Sequence, residues 1–219
     1  MKAKRNPASI WSGDFAYAIG LIASDGSLSH DGRHIAFTSK DLELAENFRR
    51  ALKISNNISR YARGKETEKK YFRVQFGDVN LYRYLNSIGL YAAKSKTICS
   101  VDVPHDFFWD FFRGLFDGDG NINAVCHRES SRMQIKIRIY SASRPFLSWL
   151  KSRVGLFPVI KGGYVQTCGK IFSLSFGKFD SLVILQLMYS SEKSLYLKRK
   201  FDYSLQFMGE WRNWYTRAP

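Results

Sequence analysis

A chain of 219 residues with 45% hydrophobic and 16% aromatic side chains can bury one substantial core or two small ones packed together, which excludes a disordered tail. Its 34 Lys and Arg against 19 Asp and Glu leave a formal charge of +15, so a compact fold repels itself and a polyanion is the natural partner. Nucleic acid is favoured over a membrane surface, because no basic amphipathic helix carries an aromatic face separate from the core pattern, and no apolar run is long enough to span a bilayer.

The basic start Met1–Arg5 runs into Asn6, Pro7, Ser9 and Ser12 where a signal peptide needs an apolar stretch, so a soluble, intracellular protein is expected. Cys99, Cys126 and Cys168 share no CxxC spacing and read as reduced packing thiols.

In chain order, the first element is the helix Phe15–Gly26, FAYAIGLIASDG, with Ala16, Gly20 and Ser24 on one side and Asp25-Gly26 at its end. A strand around Ile35–Ser39 and a helical stretch Asp41–Leu52 follow. Next comes a strand in which Phe72, Val74 and Phe76 alternate with Tyr71, Arg73 and Gln75, and then a helix near Asp78–Ile88. Lys94-Ser95 opens an extended segment through Pro104, the expected linker of residues 94–106.

The order then recurs. Gly20-Leu-Ile-Ala-Ser-Asp-Gly26 superposes without a gap on Gly114-Leu-Phe-Asp-Gly-Asp-Gly120, 94 residues on. Strands Met133–Tyr140 and Phe172–Gly177, helices Pro145–Val154 and Lys178–Tyr189, and a second Lys-Ser pair at Lys193-Ser194 follow in the same succession. Residues 1–93 therefore form one repeat and 107–200 another, with 201–219 a C-terminal helix or tail. The class is α+β, with two antiparallel four-stranded sheets, each apolar towards its helices and polar and basic on the other face. Gln, Arg, Lys and Tyr on such a face suit base edges and phosphates. The candidate DNA contacts are Arg33, His34, Thr38, Ser39, Lys40, Arg60, Arg63, Tyr71, Arg73 and Gln75 in the first repeat. In the second they are Gln134, Lys136, Arg138, Tyr140, Ser141, Ser173 and Ser175, followed by Lys198 and Lys200 as backbone-phosphate contacts.

Small residues four apart let the two helices touch closely, which brings Asp25 and Asp119 together. Two carboxylates at helix C-termini, where partial negative charge already sits, repel unless a cation lies between them. Oxygen ligands with open coordination suit Mg²⁺, which can activate water for phosphodiester cleavage. A calcium loop starting at Asp117 is excluded: its sixth position is Ile122 and its twelfth Arg128, where Gly and Glu are required.

The doubled motif GLIASDG and GLFDGDG resembles that of the LAGLIDADG homing endonucleases, over roughly Gly13–Lys200. The resemblance implies a monomer of two pseudo-symmetric αββαββα halves with saddle-shaped sheets, packed through the two motif helices. It implies site-specific cleavage of a long asymmetric DNA duplex across the minor groove with Mg²⁺, Mn²⁺ substituting and Ca²⁺ supporting binding without cleavage. It assigns the metal to Asp25 and Asp119, helped by the carbonyls of Ser24 and Gly118, and implies a basic residue at each site, for which Lys94 and Lys193 are the candidates. The earlier acidic motif position is Ala23 in one copy and Asp117 in the other, where Asp117 is expected to support the helix end. The alternatives are an intron RNA maturase and a non-catalytic DNA-binding regulator on the same fold. An intein is disfavoured, because the chain lacks a splice-junction Asn or nucleophile. The stretch Gly209–Ala218 lacks core periodicity and back-translates to a string resembling the 5′ half of a transfer-RNA gene, an expectation that genomic sequence can check.

Overall fold

The computed structural model describes residues 11–64, 67–126, 133–190 and 194–215. Helix α1 (Gly13–Asp25) begins at Ser12, whose hydroxyl accepts from the Phe15 amide at 3.2 Å, an N-cap that satisfies one of the helix's free donors. Strands β1 (Gly26–Leu28) and β2 (His34–Ser39), helix α2 (Leu42–Ala51), strands β3 (Ile58–Tyr61) and β4 (Tyr71–Gly77) and helix α3 (Val79–Ser87) complete the first repeat. The second runs α4 (Phe108–Asp119), β5 (Gly120–Cys126), β6 (Met133–Ser141), α5 (Arg144–Val154), β7 (Tyr164–Cys168), β8 (Ile171–Ser175) and α6 (Lys178–Met188). A last helix, α7, spans Lys198–Tyr215, so it starts before residue 201 and straddles the expected boundary of the second repeat.

Both sheets are antiparallel with one connectivity, β1-β2-β4-β3 and β5-β6-β8-β7. Equal strand order in two halves of one chain is what the duplicated motif predicts. The alternation also holds: Ile135, Ile137 and Ile139 are buried while Gln134, Lys136, Arg138 and Tyr140 between them are partly open. Helices pack on the apolar faces, and the core is continuous from α1 through α4 into both sheets. Phe37 stacks on Phe48 of α2 with ring centroids 4.7 Å apart, and Phe146 of α5 stacks on Trp149. Among the described residues no helix is long and apolar enough to cross a membrane.

Candidate active site at the paired helix ends

Helices α1 and α4 meet backbone to backbone. A methyl added to Gly20 would land on the Phe111 carbonyl oxygen, and one added to Gly114 would land on the Tyr17 carbonyl oxygen. The contact is reciprocal, as two copies of one motif about a pseudo-twofold demand. One turn further on, a methyl at Gly118 would overlap the Ser24 hydroxyl and lie 3.3 Å from Asp25 Oδ2. Gly26 and Gly120, the C-caps, are extended (φ −78° and −87°), so neither is needed for a left-handed turn. They are glycines because a Cβ would strike Ile22 and Phe116 of the preceding turn.

This packing leaves Asp25 and Asp119 mostly buried at adjacent helix ends. Burial raises the Asp25 carboxyl above its ordinary range, opposed by Arg63, Lys94 and Lys200. Asp119 is pushed up to about 7, first by burial and then by the Asp25 carboxylate. Two buried acids that resist joint ionisation, with oxygen donors at two helix C-termini, fit a hard divalent cation. Among the described residues no cluster of three or more His, Cys, Asp or Glu is assembled, so any cation here has two carboxylates to bind it.

Two lysines flank the pair in matching positions. Lys94, 4% exposed, donates to the Gly26 carbonyl at 2.5 Å. Lys200, 9% exposed, donates to the Gly120 carbonyl at 2.7 Å, and also to Phe116 and Asp117 carbonyls at 2.6 and 2.9 Å. Burial lowers each ammonium to about 8, countered by the nearby aspartates. Lys200, read from sequence as a phosphate contact, is thus the pseudo-symmetric mate of Lys94. Lys193, the residue chosen for that place, lies outside the described residues. The signal was present: Leu90-Tyr91 before Lys94 and Leu195-Tyr196 before Lys200 are the same dipeptide.

Asp117, 1% exposed, supports the helix end from within. It accepts from Tyr17 Oη of α1 and from the Leu197 amide, both at 2.8 Å, while burial raises its carboxyl to about 6. Arg113 acts nearby, donating to Leu195 and Met188 carbonyls at 2.8 and 2.5 Å and pairing with Asp110.

On the outer face of the first sheet, register aligns Thr38 with Arg73, Ala36 with Gln75, and Tyr61 with Tyr71. The Arg73 guanidinium lies over the Tyr61 ring at 4.5 Å and Lys40 over Tyr71 at 5.7 Å. His34 pairs with Asp31, and Arg33 and Arg63 stand exposed at loop positions. A pocket of about 290 Å³ joins this face to the helix end, lined among others by Asp25, Thr38, Tyr61, Arg63, Arg73 and Lys94. On the second sheet Lys136 lies opposite Asn123, Arg138 opposite Asn121 and Ser175, and Tyr140 opposite Ser173. Tyr61, Asn121 and Asn123 join these faces without having been picked from sequence, because Asn carries no alternation signal.

Several expected contacts lie elsewhere. Ser39 and Ser141 fall on the helix side, where each hydroxyl accepts from the amide two residues on (Asp41 and Ser143, both 3.1 Å) to turn the chain into α2 and α5. Arg60 sits opposite Phe72 and stacks on its ring at 4.1 Å, on the helix side of edge strand β3. Ser173 and Ser175 share the outer face but are fully buried. Lys198 stands exposed at the start of the last helix, α7, where it pairs with Asp202.

Residues 12–89 match the family model of the LAGLIDADG-like domain. No curated protein sequence matches the chain significantly. Among solved structures, full-length DUF199/WhiA from Thermatoga maritima is similar over 90% of this chain at 16% identity and TM-score 0.57, and the chain spans 61% of that protein. The homing endonuclease I-DmoI in complex with DNA and Mn is similar at 17% identity and TM-score 0.54, covering 82% of this chain and 98% of that one. I-SmaMI, bound to uncleaved DNA target in the presence of calcium ions, is similar at 11% identity and TM-score 0.59, covering 96% and 95%.

Proposed function

We propose that the chain, with a match to the LAGLIDADG-like domain at residues 12–89 and a two-repeat fold over its length, is a member of the LAGLIDADG family and a site-specific double-strand DNA endonuclease. The observation that carries this reading is the pair of mostly buried carboxylates, Asp25 and Asp119, at the touching helix ends, each flanked by a buried lysine. A binding module gains nothing from two repelling acids in its centre; a phosphodiester hydrolase needs them.

Asp25 and Asp119 would hold a divalent cation, Mg²⁺ or Mn²⁺, with Ser24 and Gly118 carbonyls at hand. Bound there, the cation supplies an acidified water and charge neutralisation at the scissile phosphate. The chain's own groups do the rest. The outer sheet faces, rich in Arg, Lys, Tyr, Asn and Gln, bind and register the duplex, with two unlike faces reading an asymmetric site. Lys94 and Lys200, drawn down to about 8 by burial, each hold a proton at Nζ beside a carboxylate and orient solvent at one strand. Asp117 fixes the chain leading to Lys200 through the Leu197 amide. A single chain that already contains both halves acts as a monomer.

Selection from a randomised duplex library tests the proposal. With Mg²⁺ the protein is expected to cut a recovered sequence, and with Ca²⁺ to bind it intact. Asp25→Asn and Asp119→Asn are each expected to abolish double-strand cleavage and keep binding. Tight, sequence-specific binding with no cleavage under Mg²⁺ or Mn²⁺ would leave a DNA-binding regulator instead.

A further inference from the structure

The segment that delivers Lys200 is gripped residue by residue. The Tyr196 carbonyl accepts from Asn47 Nδ2 at 2.8 Å, and the Leu197 amide donates to Asp117 at 2.8 Å. The Lys198 amide donates to both Glu43 carboxylate oxygens at 3.1 and 3.2 Å, and the Arg199 guanidinium makes a two-pronged pair with Asp41 at 3.2 and 2.9 Å. Three of these four holding side chains belong to α2 or its N-cap, in the first repeat, although Lys200 serves the end of α4 in the second. Glu43 takes up a free donor at the start of α7 and complements its positive end, while Asn47 is 4% exposed and its bond is shielded from water. The Arg199–Asp41 pair is more open and contributes least.

The same crossing occurs on the other side. Lys94 lies on a short 3₁₀ turn after α3, and its own carbonyl accepts from the Ile98 amide at 2.8 Å. The Ile98 carbonyl in turn accepts from Ser143 Oγ at 2.5 Å. Ser143, 1% exposed, is the N-cap of α5, the second repeat's counterpart of α2. Each lysine-bearing segment is therefore braced by the equivalent helix of the opposite repeat.

We propose that this crossed bracing sets the active-site lysines: Asn47 and Glu43 are positioning residues for Lys200, and Ser143 is the positioning residue for Lys94. The catalytic consequence rests on the nuclease reading above; the bracing itself does not. Each half-site is then mechanically dependent on the repeat it does not belong to.

Competitive acetylation of the metal-free, DNA-free protein with acetic anhydride, read by mass spectrometry, tests the bracing. Asn47→Ala and Glu43→Ala are expected to raise the acetylation rate of Lys200 about tenfold and to leave Lys94 within about twofold, as loss of a buried hydrogen bond frees one segment. Ser143→Gly removes the hydroxymethyl group, and with it both the bond to Ile98 and the cap bond to the Phe146 amide, but glycine is itself a tolerated N-cap residue, so the variant is expected to expose Lys94 and spare Lys200. A rise at both lysines in any variant, or at neither, overturns the proposal; a second, milder variant in α2 guards against a misfolded Asn47→Ala. Strand-resolved cleavage of the library-selected duplex gives the functional readout. Asn47→Ala should slow the strand that Lys200→Met slows, and Ser143→Gly the strand that Lys94→Met slows. Equal slowing of both strands refutes strand-specific positioning. Failure of the wild-type chain to cut refutes the nuclease reading, with the labelling result still deciding the bracing.

Discussion

Replacing Gly114 by Ala tests whether the helix seam is as close as described. The added methyl would overlap the Tyr17 carbonyl oxygen, with the Tyr17 carbonyl carbon at 2.9 Å and the Leu21 amide nitrogen at 3.1 Å. Neither obstacle is a side chain that can rotate away, so α1 and α4 must separate. Overpacking of this kind costs ~1–3 kcal/mol, and the rigid backbone places it at the upper end. Alanine recovers about 1 kcal/mol over glycine in a helix interior. The net loss of ~2 kcal/mol corresponds, at about 2–4 °C per kcal/mol for a chain of this length, to a fall in Tm of about 4–8 °C. Because the seam also sets the distance between Asp25 and Asp119, a shift near 1 Å should lower cleavage about 100-fold. Thermal melts followed by circular dichroism and cleavage of the selected duplex measure both effects. Gly155→Ala is the control: its φ is −65°, its Cβ would meet the Lys151 and Ser152 carbonyls at 3.4 Å, and alanine there should hold or slightly raise Tm. A Gly114→Ala protein that melts no lower than wild type would refute the close seam.

Further outcomes follow from the buried acids and the basic faces. Asp119 rises from 3.8 to about 7 and Asp117 to about 6, so the folded state favours their protonated forms. The stability that these two carboxyls contribute to the metal-free protein is therefore full below about 4 and lost as pH climbs through 6 and 7, while Lys94 and Lys200 titrate only above that window. The urea midpoint should fall between pH 5 and 8, and Mg²⁺ should raise it more at pH 8, where it competes with fewer protons; a midpoint that rises across this range contradicts the assignment. Asp117→Ala strands the Tyr17 hydroxyl and the Leu197 amide, a loss of about 2–4 kcal/mol by chemical denaturation; unchanged stability would show that the carboxylate is no strut. DNA affinity should fall with salt at a log–log slope near −5 if about six phosphates are neutralised, and a flat dependence would remove the backbone contacts from the outer faces.

The fold was legible because the duplication supplies the same pattern twice. Met133–Tyr140 alternates cleanly enough to predict which side of β6 is buried, and α5 and α6 start and stop within a residue of the expected places. The juxtaposition of Asp25 and Asp119 was legible because small residues four apart on both motif helices have few reasons to exist other than close approach. The lysines were harder. From Gly26 to Lys94 the chain runs 68 residues, but from Gly120 to Lys200 it runs 80, and the longer path hides the correspondence behind a nearer Lys-Ser pair. Serines misled for another reason. A hydroxyl is as content satisfying an amide at a turn as facing water, so Ser39 and Ser141 look like surface residues and act as corners. Arg60 shows the limit of alternation on an edge strand, where a long side chain can curl over an aromatic ring on the apolar side.

At Gly20 and Gly114 the α1–α4 seam is main chain on main chain, and the side-chain identity it asks of a mating half is concentrated in the Tyr17–Asp117 bond. A repeat that offers glycine at the matching helix positions and a partner for Tyr17 or Asp117 meets the requirements of this joint, which makes it the natural point at which to join halves into chimeras. Such hybrids should assemble readily and yet work poorly until the α2 and α5 braces are transplanted with the segments that they hold.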